Sequence, residues 1–159
     1  MHSVDAPGSL DVHFSDPASV TCATDCLCQM SALTTRLIAR VWLQVDSLLV
    51  GYILAFNRDA AYDGEEFLKF RLIIPKPYLY IDQVAVATQS KGLGVGRAPY
   101  GAVEAIAHRE GAQALCCEVN ISPPNLESMA FHEALGFQRM ESLVTLDGRR
   151  VELLLKEVV

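Results

Sequence analysis

Apolar and polar positions change rhythm most clearly between Tyr80 and Arg97, where the chain reads YIDQVAVATQSKGLGVGR. Ile81, Val84 and Val86 form an extended apolar run that is too short and too β-branched for a helix. Thr88, Gln89 and Ser90 break it, and Gly92, Gly94 and Gly96 then leave the backbone bare. Ala98, Ala102, Ala105 and Ile106, with Val103 beside them, recur at helical spacing up to Gly111. The pattern predicts a strand over Tyr80–Ala87, a glycine loop, and a helix from Ala98 toward Gly111. Such a sequence of elements points backbone N–H groups and a helix N-terminus at one spot, and such a spot binds phosphate.

The rest of the chain follows the same logic. Met1 to Ala18 is polar, with Pro7, Gly8 and Pro17, and reads as a loose arm holding a short strand around Val12–Phe14. Met30, Leu33, Leu37 and Ile38 fall at helical spacing and predict a helix over Cys28–Ala39. Arg40–Val45 and Leu48–Phe56 read as an antiparallel hairpin around Asp46-Ser47. Asn57–Glu66 is polar and acidic, and Phe67–Leu72 predicts one or two helical turns ended by Pro75 and Pro77. Beyond the glycine element, Gln113–Val119 returns as a strand parallel to Tyr80–Ala87, so a right-handed βαβ unit is expected. Ile121–Pro124 reads as irregular. Asn125 can cap a helix with Leu126, Met129, Ala130 and Ala134 on its buried side. Gly136 supplies a left-handed stop with Phe137 as an apolar anchor. The tail predicts a hairpin, Gln138–Leu146 and Arg149–Val158 around Asp147-Gly148. The fold class is α/β, with one central mixed sheet and a single domain over residues 1–159.

Composition narrows the function. Of 159 residues, 51% are hydrophobic and 20% charged, an ordinary globular balance. The formal charge of −6 argues against nucleic acid or an anionic membrane as partner and mildly favours a cationic acceptor. No stretch is long and apolar enough to span a bilayer, and no signal pattern opens the chain, so a cytoplasmic setting is the expectation. Among five cysteines, Cys116 and Cys117 sit in an apolar run and read as core. Cys22, Cys26 and Cys28 cluster without a histidine at a common zinc spacing, so no metal site is expected.

The glycine loop can be sorted by its spacing. A P-loop needs Gly-Lys followed by Ser or Thr, whereas Gly96 is followed by Arg97 and Ala98. A dinucleotide fingerprint needs G-x-G-x-x-G, and the alternate glycines do not supply it. The loop instead resembles the pyrophosphate loop of the GNAT superfamily of acyl-CoA-dependent N-acetyltransferases, Arg/Gln-x-x-Gly-x-Gly/Ala. Gln89–Gly94 matches every position, whereas Lys91–Gly96 has Lys at the first position but keeps the family's distance from the strand to the loop and is preferred. A second segment, Asn125 to Ser128 followed by Phe131-His132-Glu133-Ala134-Leu135-Gly136-Phe137, resembles the other signature of that superfamily. Cys117–Asn120, Pro123–Asn125 and Phe131–His132 resemble motifs of its small predicted acetyltransferases. The resemblance spans Val50 to Leu154.

The resemblance implies a GNAT-like fold, a mostly antiparallel mixed sheet flanked by helices with one splayed parallel pair. It implies that the pantetheine of acetyl-CoA pairs with backbone at Val84, Ala85 and Val86 as an added strand. The pyrophosphate would rest on the N–H groups of Gly92, Leu93, Gly94, Val95, Gly96 and Arg97, with Lys91 or Arg97 adding charge. Asn125 is implied to bond the pantetheine, although a plain helix cap also accounts for it. The reaction implied is direct attack of a primary amine, on a small molecule or a protein N-terminus, through a tetrahedral intermediate. That attack needs a base, an acid near sulfur and an N–H for the oxyanion, the last at Val86 or a neighbour on the splayed strand. Glu118, a carboxylate in an apolar strand, is the candidate base, with a strand-end salt bridge as the alternative. His132 stands where many members carry a proton-donating tyrosine, and a half-exposed helix histidine is its bland reading. Asp82 is a candidate for orienting the amine, whereas Tyr80 reads as core. Many relatives pair through their C-terminal strands, so a homodimer is one expectation. A non-catalytic acyl-CoA sensor of the same fold is the alternative function.

Overall fold

The computed structural model describes residues 10–14, 37–45, 48–88 and 96–158. Seven strands form one sheet. In chain order the elements are β1 (Leu10–Phe14), β2 (Leu37–Val45), β3 (Leu48–Asn57), α1 (Glu65–Ile73), β4 (Tyr78–Val86), α2 (Arg97–Glu110), β5 (Ala114–Ser122), α3 (Leu126–Ala134), β6 (Gln138–Val144) and β7 (Arg150–Glu157). The strand order across the sheet is β1-β2-β3-β4-β5-β7-β6. All neighbours are antiparallel except β4 and β5.

That exception shapes the molecule. β4 and β5 pair only through Tyr78↔Ala114, Leu79↔Leu115 and Tyr80↔Cys116, and beyond that point they part. β4 meanwhile stays paired with β3 as far as Gly51↔Val86. The second half of β4 therefore keeps one hydrogen-bonded neighbour and shows its other edge to a gap.

Strand alternation sends side chains from β4 and β5 into two cores. On one face Tyr78, Tyr80, Ala114 and Cys116 pack with Phe67 and Phe70 of α1. On the other, Leu79, Ile81, Leu115, Cys117 and Val119 pack with Tyr100, Val103, Ile106 and Ala107 of α2 and Met129 of α3. Cys116 and Cys117 are buried free thiols, one in each core. Pro99 lies in the first turn of α2, where its missing N–H costs no helical bond. Gly111 ends α2 and Gly136 follows α3, with φ of 71° and 92°, a left-handed conformation that glycine adopts without a Cβ clash.

Several expectations change. The predicted helix over Cys28–Ala39 is corrected at its end, since Leu37 to Ala39 open β2 and residues 28–36 lie outside the described residues. Pairing with β3, from Leu37↔Phe56 onward, overrides the local helical spacing. The turn Asp46-Ser47 also lies outside the described residues. Ile121 and Ser122, predicted irregular, continue β5, because β7 pairs as far as Ser122↔Arg150 and only the cis Ser122–Pro123 peptide and Pro124 turn the chain. On α3 the predicted buried side is mostly exposed: Leu126, Ala130 and Ala134 face outward, while Met129 and His132 are buried. The helix seats through a polar residue that finds a buried partner, which apolar spacing cannot reveal.

Gly51 tests the β3–β4 junction. A Cβ there would sit 2.8 Å from the carbonyl oxygen of Ala85, a main-chain atom that cannot swing aside. Gly51→Ala is expected to destabilise the fold by about 1–3 kcal/mol, read by urea denaturation. An unchanged midpoint would show that the two strands yield freely.

Candidate active site

The gap between β4 and β5 gathers the candidate residues. The Ala87 N–H donates to Val50 O at 2.7 Å, which makes Ala87 and Val50 a hydrogen-bonded pair. In an antiparallel ladder the bonding edge alternates, so Ala85 turns its peptide groups toward β3 while Val84 and Val86 turn theirs to the open edge. Val84 is exposed, and Ala85 and Val86 are half-buried. At the top of the gap Gly96 is the N-cap of α2 and Arg97 its exposed first residue, with no acidic side chain in the first turn. A helix N-terminus so composed favours an anion. A Cβ on Gly96 would lie 3.2 Å from the Phe131 ring, so glycine lets α2 and α3 approach there. Lys91, Gly92, Leu93, Gly94 and Val95 lie outside the described residues.

Glu118 sits two residues past the last parallel pair, on the face of the sheet shared with α1. The Tyr80 hydroxyl donates to its Oε2 at 2.9 Å. Burial pushes the carboxyl pKa up to about 8, the charges of Glu66 and Asp82 add to the rise, and the Tyr80 hydrogen bond opposes it. Asp82, on the same face of β4, accepts from the Tyr62 hydroxyl at 2.6 Å, and burial raises its pKa too. Tyr62 comes from the acidic loop before α1 and stacks on Phe56 with ring centroids 4.6 Å apart. Burial keeps the phenols of Tyr62 and Tyr80 protonated far above neutrality, so both act as donors.

The turn between β6 and β7 closes this side. The Leu146 N–H donates to the Glu65 carboxylate at 2.9 Å, and Arg149 reaches Glu66 at 3.4 Å and Asn120 Oδ1 at 3.2 Å. Arg149 is also held by Asp147 at 2.7 Å, so its charge is divided.

His132 lies on the opposite face. It is buried, and Nδ1 is 2.7 Å from the Ser128 carbonyl, which can only accept, so Nδ1 carries the proton. Nε2 is 2.6 Å from the Tyr100 hydroxyl, and burial lowers the imidazole pKa. The neutral ring thus donates to Ser128 and accepts from Tyr100, which leaves its one N–H spent on a backbone carbonyl. The half-exposed reading is corrected by this burial, since both ring nitrogens have partners inside the protein. Asn125 caps α3, its Oδ1 accepting from the Ser128 N–H at 3.1 Å.

The structure therefore brings Glu118, Asp82 and Tyr80 together but keeps His132 on the other side of the sheet. Sequence reading missed Tyr62, Glu66, Asn120 and Arg149 as neighbours of Glu118, and Tyr100 as partner of His132. The acidity of Asn57–Glu66 was the one signal pointing to the first two. A cavity of about 360 Å³ between Asn57, Pro75, Pro77 and Glu110 opens at the other end of β4 and involves none of these groups. Among the described residues there is no metal-holding cluster, and no helix is long and apolar enough to cross a membrane.

Comparison with known proteins agrees with this architecture. No curated protein matches the chain significantly by sequence. Among solved structures, Ard1 from Thermoplasma volcanium superposes with a TM-score of 0.64 at 16% identity, over 94% of this chain and 98% of that one. The ribosomal-protein-S18-alanine N-acetyltransferase from Escherichia coli gives 0.63 at 13% identity, over 94% of both chains. A chain of the NatC complex bound to Gag peptide and CoA gives 0.61 at 14% identity, over 94% of this chain and 99% of that one. At such identities the likeness is one of fold. The sequence model of the acetyltransferase (GNAT) family matches residues 17–137, most of the chain. By that match and this fold, the chain belongs to the acetyltransferase (GNAT) family.

Proposed function

We propose that this protein is an N-acetyltransferase that transfers an acetyl group from acetyl-CoA to a primary amine, of a small molecule or a protein N-terminus. The observation that carries the reading is the parting of β4 and β5 after three paired positions, with Glu118 just beyond the fork. The open edge of β4 at Val84 and Val86 offers N–H and C=O groups that suit the amides of pantetheine. The start of α2, free of acidic residues, suits a pyrophosphate, with Gly96 and Arg97 as contacts. Residues 91–95 would complete that cradle, and Asn125 would face the pantetheine while capping α3. CoA in the NatC structure is a precedent for the cosubstrate in this fold.

Glu118 is the proposed base. An alkyl ammonium must lose a proton before it attacks a thioester, and a carboxyl with a pKa near 8 is better matched to that task than an ordinary carboxylate. Asp82 is proposed to orient the amine, and the Val86 N–H to receive the tetrahedral oxyanion. His132 is proposed to hold α3 and Tyr100 in place.

Calorimetric titration with acetyl-CoA, set against CoA, ATP and NAD, tests the donor site, with micromolar binding of the first expected. Gly94→Glu should abolish that binding by setting a charge where a phosphate rests. Failure of folded protein to bind acetyl-CoA would overturn the proposal. Binding without CoA release across an amine panel would leave an acyl-CoA sensor instead.

Glu118→Gln should lower kcat/KM for the acceptor about 10²–10⁴-fold, and the wild-type value should rise with pH toward a plateau above pH 8. The same residue makes a stability prediction. Folded Glu118 keeps its proton up to about pH 8, while the unfolded carboxyl loses it near the ordinary glutamate value of 4.5. Between these values the native state binds more protons, so stability falls as pH rises through the window. Glu118→Gln should flatten that fall and raise Tm at pH 8 relative to wild type. A parallel decline in both proteins would show that Glu118 does not hold its proton.

A further inference from the structure

The last parallel pair before the gap is Tyr80↔Cys116, and Glu118 lies two residues farther along β5 on the same face. The Tyr80 phenol crosses from β4 to β5 at that point and donates to Glu118 Oε2 at 2.9 Å. Its ring has little freedom. Tyr80 is 1% exposed and packs against Phe67, Phe70 and Tyr62, with centroids 5.4, 5.8 and 6.3 Å away. The hydroxyl is therefore aimed by an aromatic cluster built from α1 and its preceding loop.

We propose that Tyr80 is a positioning residue, a strut across the fork that fixes the carboxylate of Glu118 toward the gap and tunes when it ionises. The inference rests on the reading of Glu118 as the base. A carboxylate has about four acceptor positions, and Tyr80 occupies one, which orients those remaining for an ammonium. A hydroxyl that donates to the ionised form favours that form. Without it, burial beside other carboxylates would hold the proton on Glu118 to higher pH still. The phenol itself does not titrate near neutrality, so it orients the base without competing for the proton.

Other titratable groups surround Glu118 on both faces of the sheet. Asp82 from β4 and Glu66 from α1 raise its pKa, and Arg149 at the start of the β7 hairpin arm feels its charge. Tyr62 from the loop, Tyr100 from α2 and the buried Cys117 thiol also sense it. None of these makes the direct contact that Tyr80 does, a side-chain hydrogen bond to the carboxylate.

The test is a ¹³C titration of the glutamate side-chain carboxyls in the full chain. Wild type should show Glu118 with a midpoint near 8. Tyr80→Phe, which keeps the ring, should move that midpoint upward by about one pH unit, with the circular dichroism spectrum unchanged. An unmoved midpoint in folded Tyr80→Phe would overturn the proposal. Should that variant not fold, the Tyr80 Cζ resonance serves. It should step with the Glu118 ionisation in wild type and be flat across the same range in Glu118→Gln, and absence of the step in wild type would overturn the proposal. The two readings fail separately. Normal acetyl transfer by Glu118→Gln would remove Glu118 as base, whereas the titration reports the Tyr80 coupling with no acceptor present.

Discussion

A strand edge left unpaired inside a folded protein is costly, because each buried N–H or C=O that loses water must find another partner. The second half of β4 carries such an edge, and the surrounding structure is arranged so that it can remain open. β3 holds the other edge through Val86, and the two faces of the first half of β4, Tyr78 to Ile81, are covered independently by α1 and α2. Beyond Tyr80↔Cys116, Cys117 and Val119 of β5 stay packed in the α2 core with Ile81, so the two parallel strands part without opening that core. The gap between them stays accessible to water and to any extended molecule that can pair with Val84 and Val86.

The pleat of the parted strands also divides the chemistry. Tyr80 and Asp82 of β4 and Glu118 of β5 gather on the side of α1. Leu79 and Ile81 and, past the register shift at Asp82, Val86 turn with Leu115, Cys117 and Val119 toward α2 and α3, where the helix N-terminus, Asn125 and the Tyr100–His132 pair lie. In the proposed reaction the anionic donor approaches the face with a helix N-terminus and few carboxylates, and the cationic acceptor the face with several. In that reaction the separation by sheet face would keep pyrophosphate and carboxylates apart.

How much of this was legible in the sequence follows from the range of the interactions. The glycine loop, the Asn125 cap, the Gly136 stop and the Asp147-Gly148 turn are encoded within a few residues, and each described one stands where the local pattern puts it. The splay was legible only through family resemblance, since nothing in the composition of β4 or β5 says where their pairing stops. The buried side of α3 was misread because His132 takes a core position by bonding to Tyr100, from an element 32 residues earlier. Glu118 was visible as a misplaced charge, yet its surroundings were not. Tyr62, Glu66 and Arg149 converge from three separate segments, and their meeting depends on the hairpin turn docking onto the start of α1 through Glu65 and Glu66.

That docking bears on why Glu118 keeps its proton. A cation sits nearby, and an undivided arginine beside a carboxylate would hold it ionised. Arg149, however, is more than a third exposed and is shared among Asp147, Glu66 and Asn120, so its charge is largely screened and already matched. Glu118 is left with burial and two carboxylate neighbours, which favour its neutral form, against one phenol that favours the ion. An ammonium entering this face would add the missing positive charge and lower the carboxyl pKa as it bound. The ionised base would then form in contact with the acid it must deprotonate. In the empty site, the same group would remain protonated and uncharged, which lowers the electrostatic cost of holding three carboxylates together under α1. The acceptor's charge would thus serve recognition and activation through one interaction.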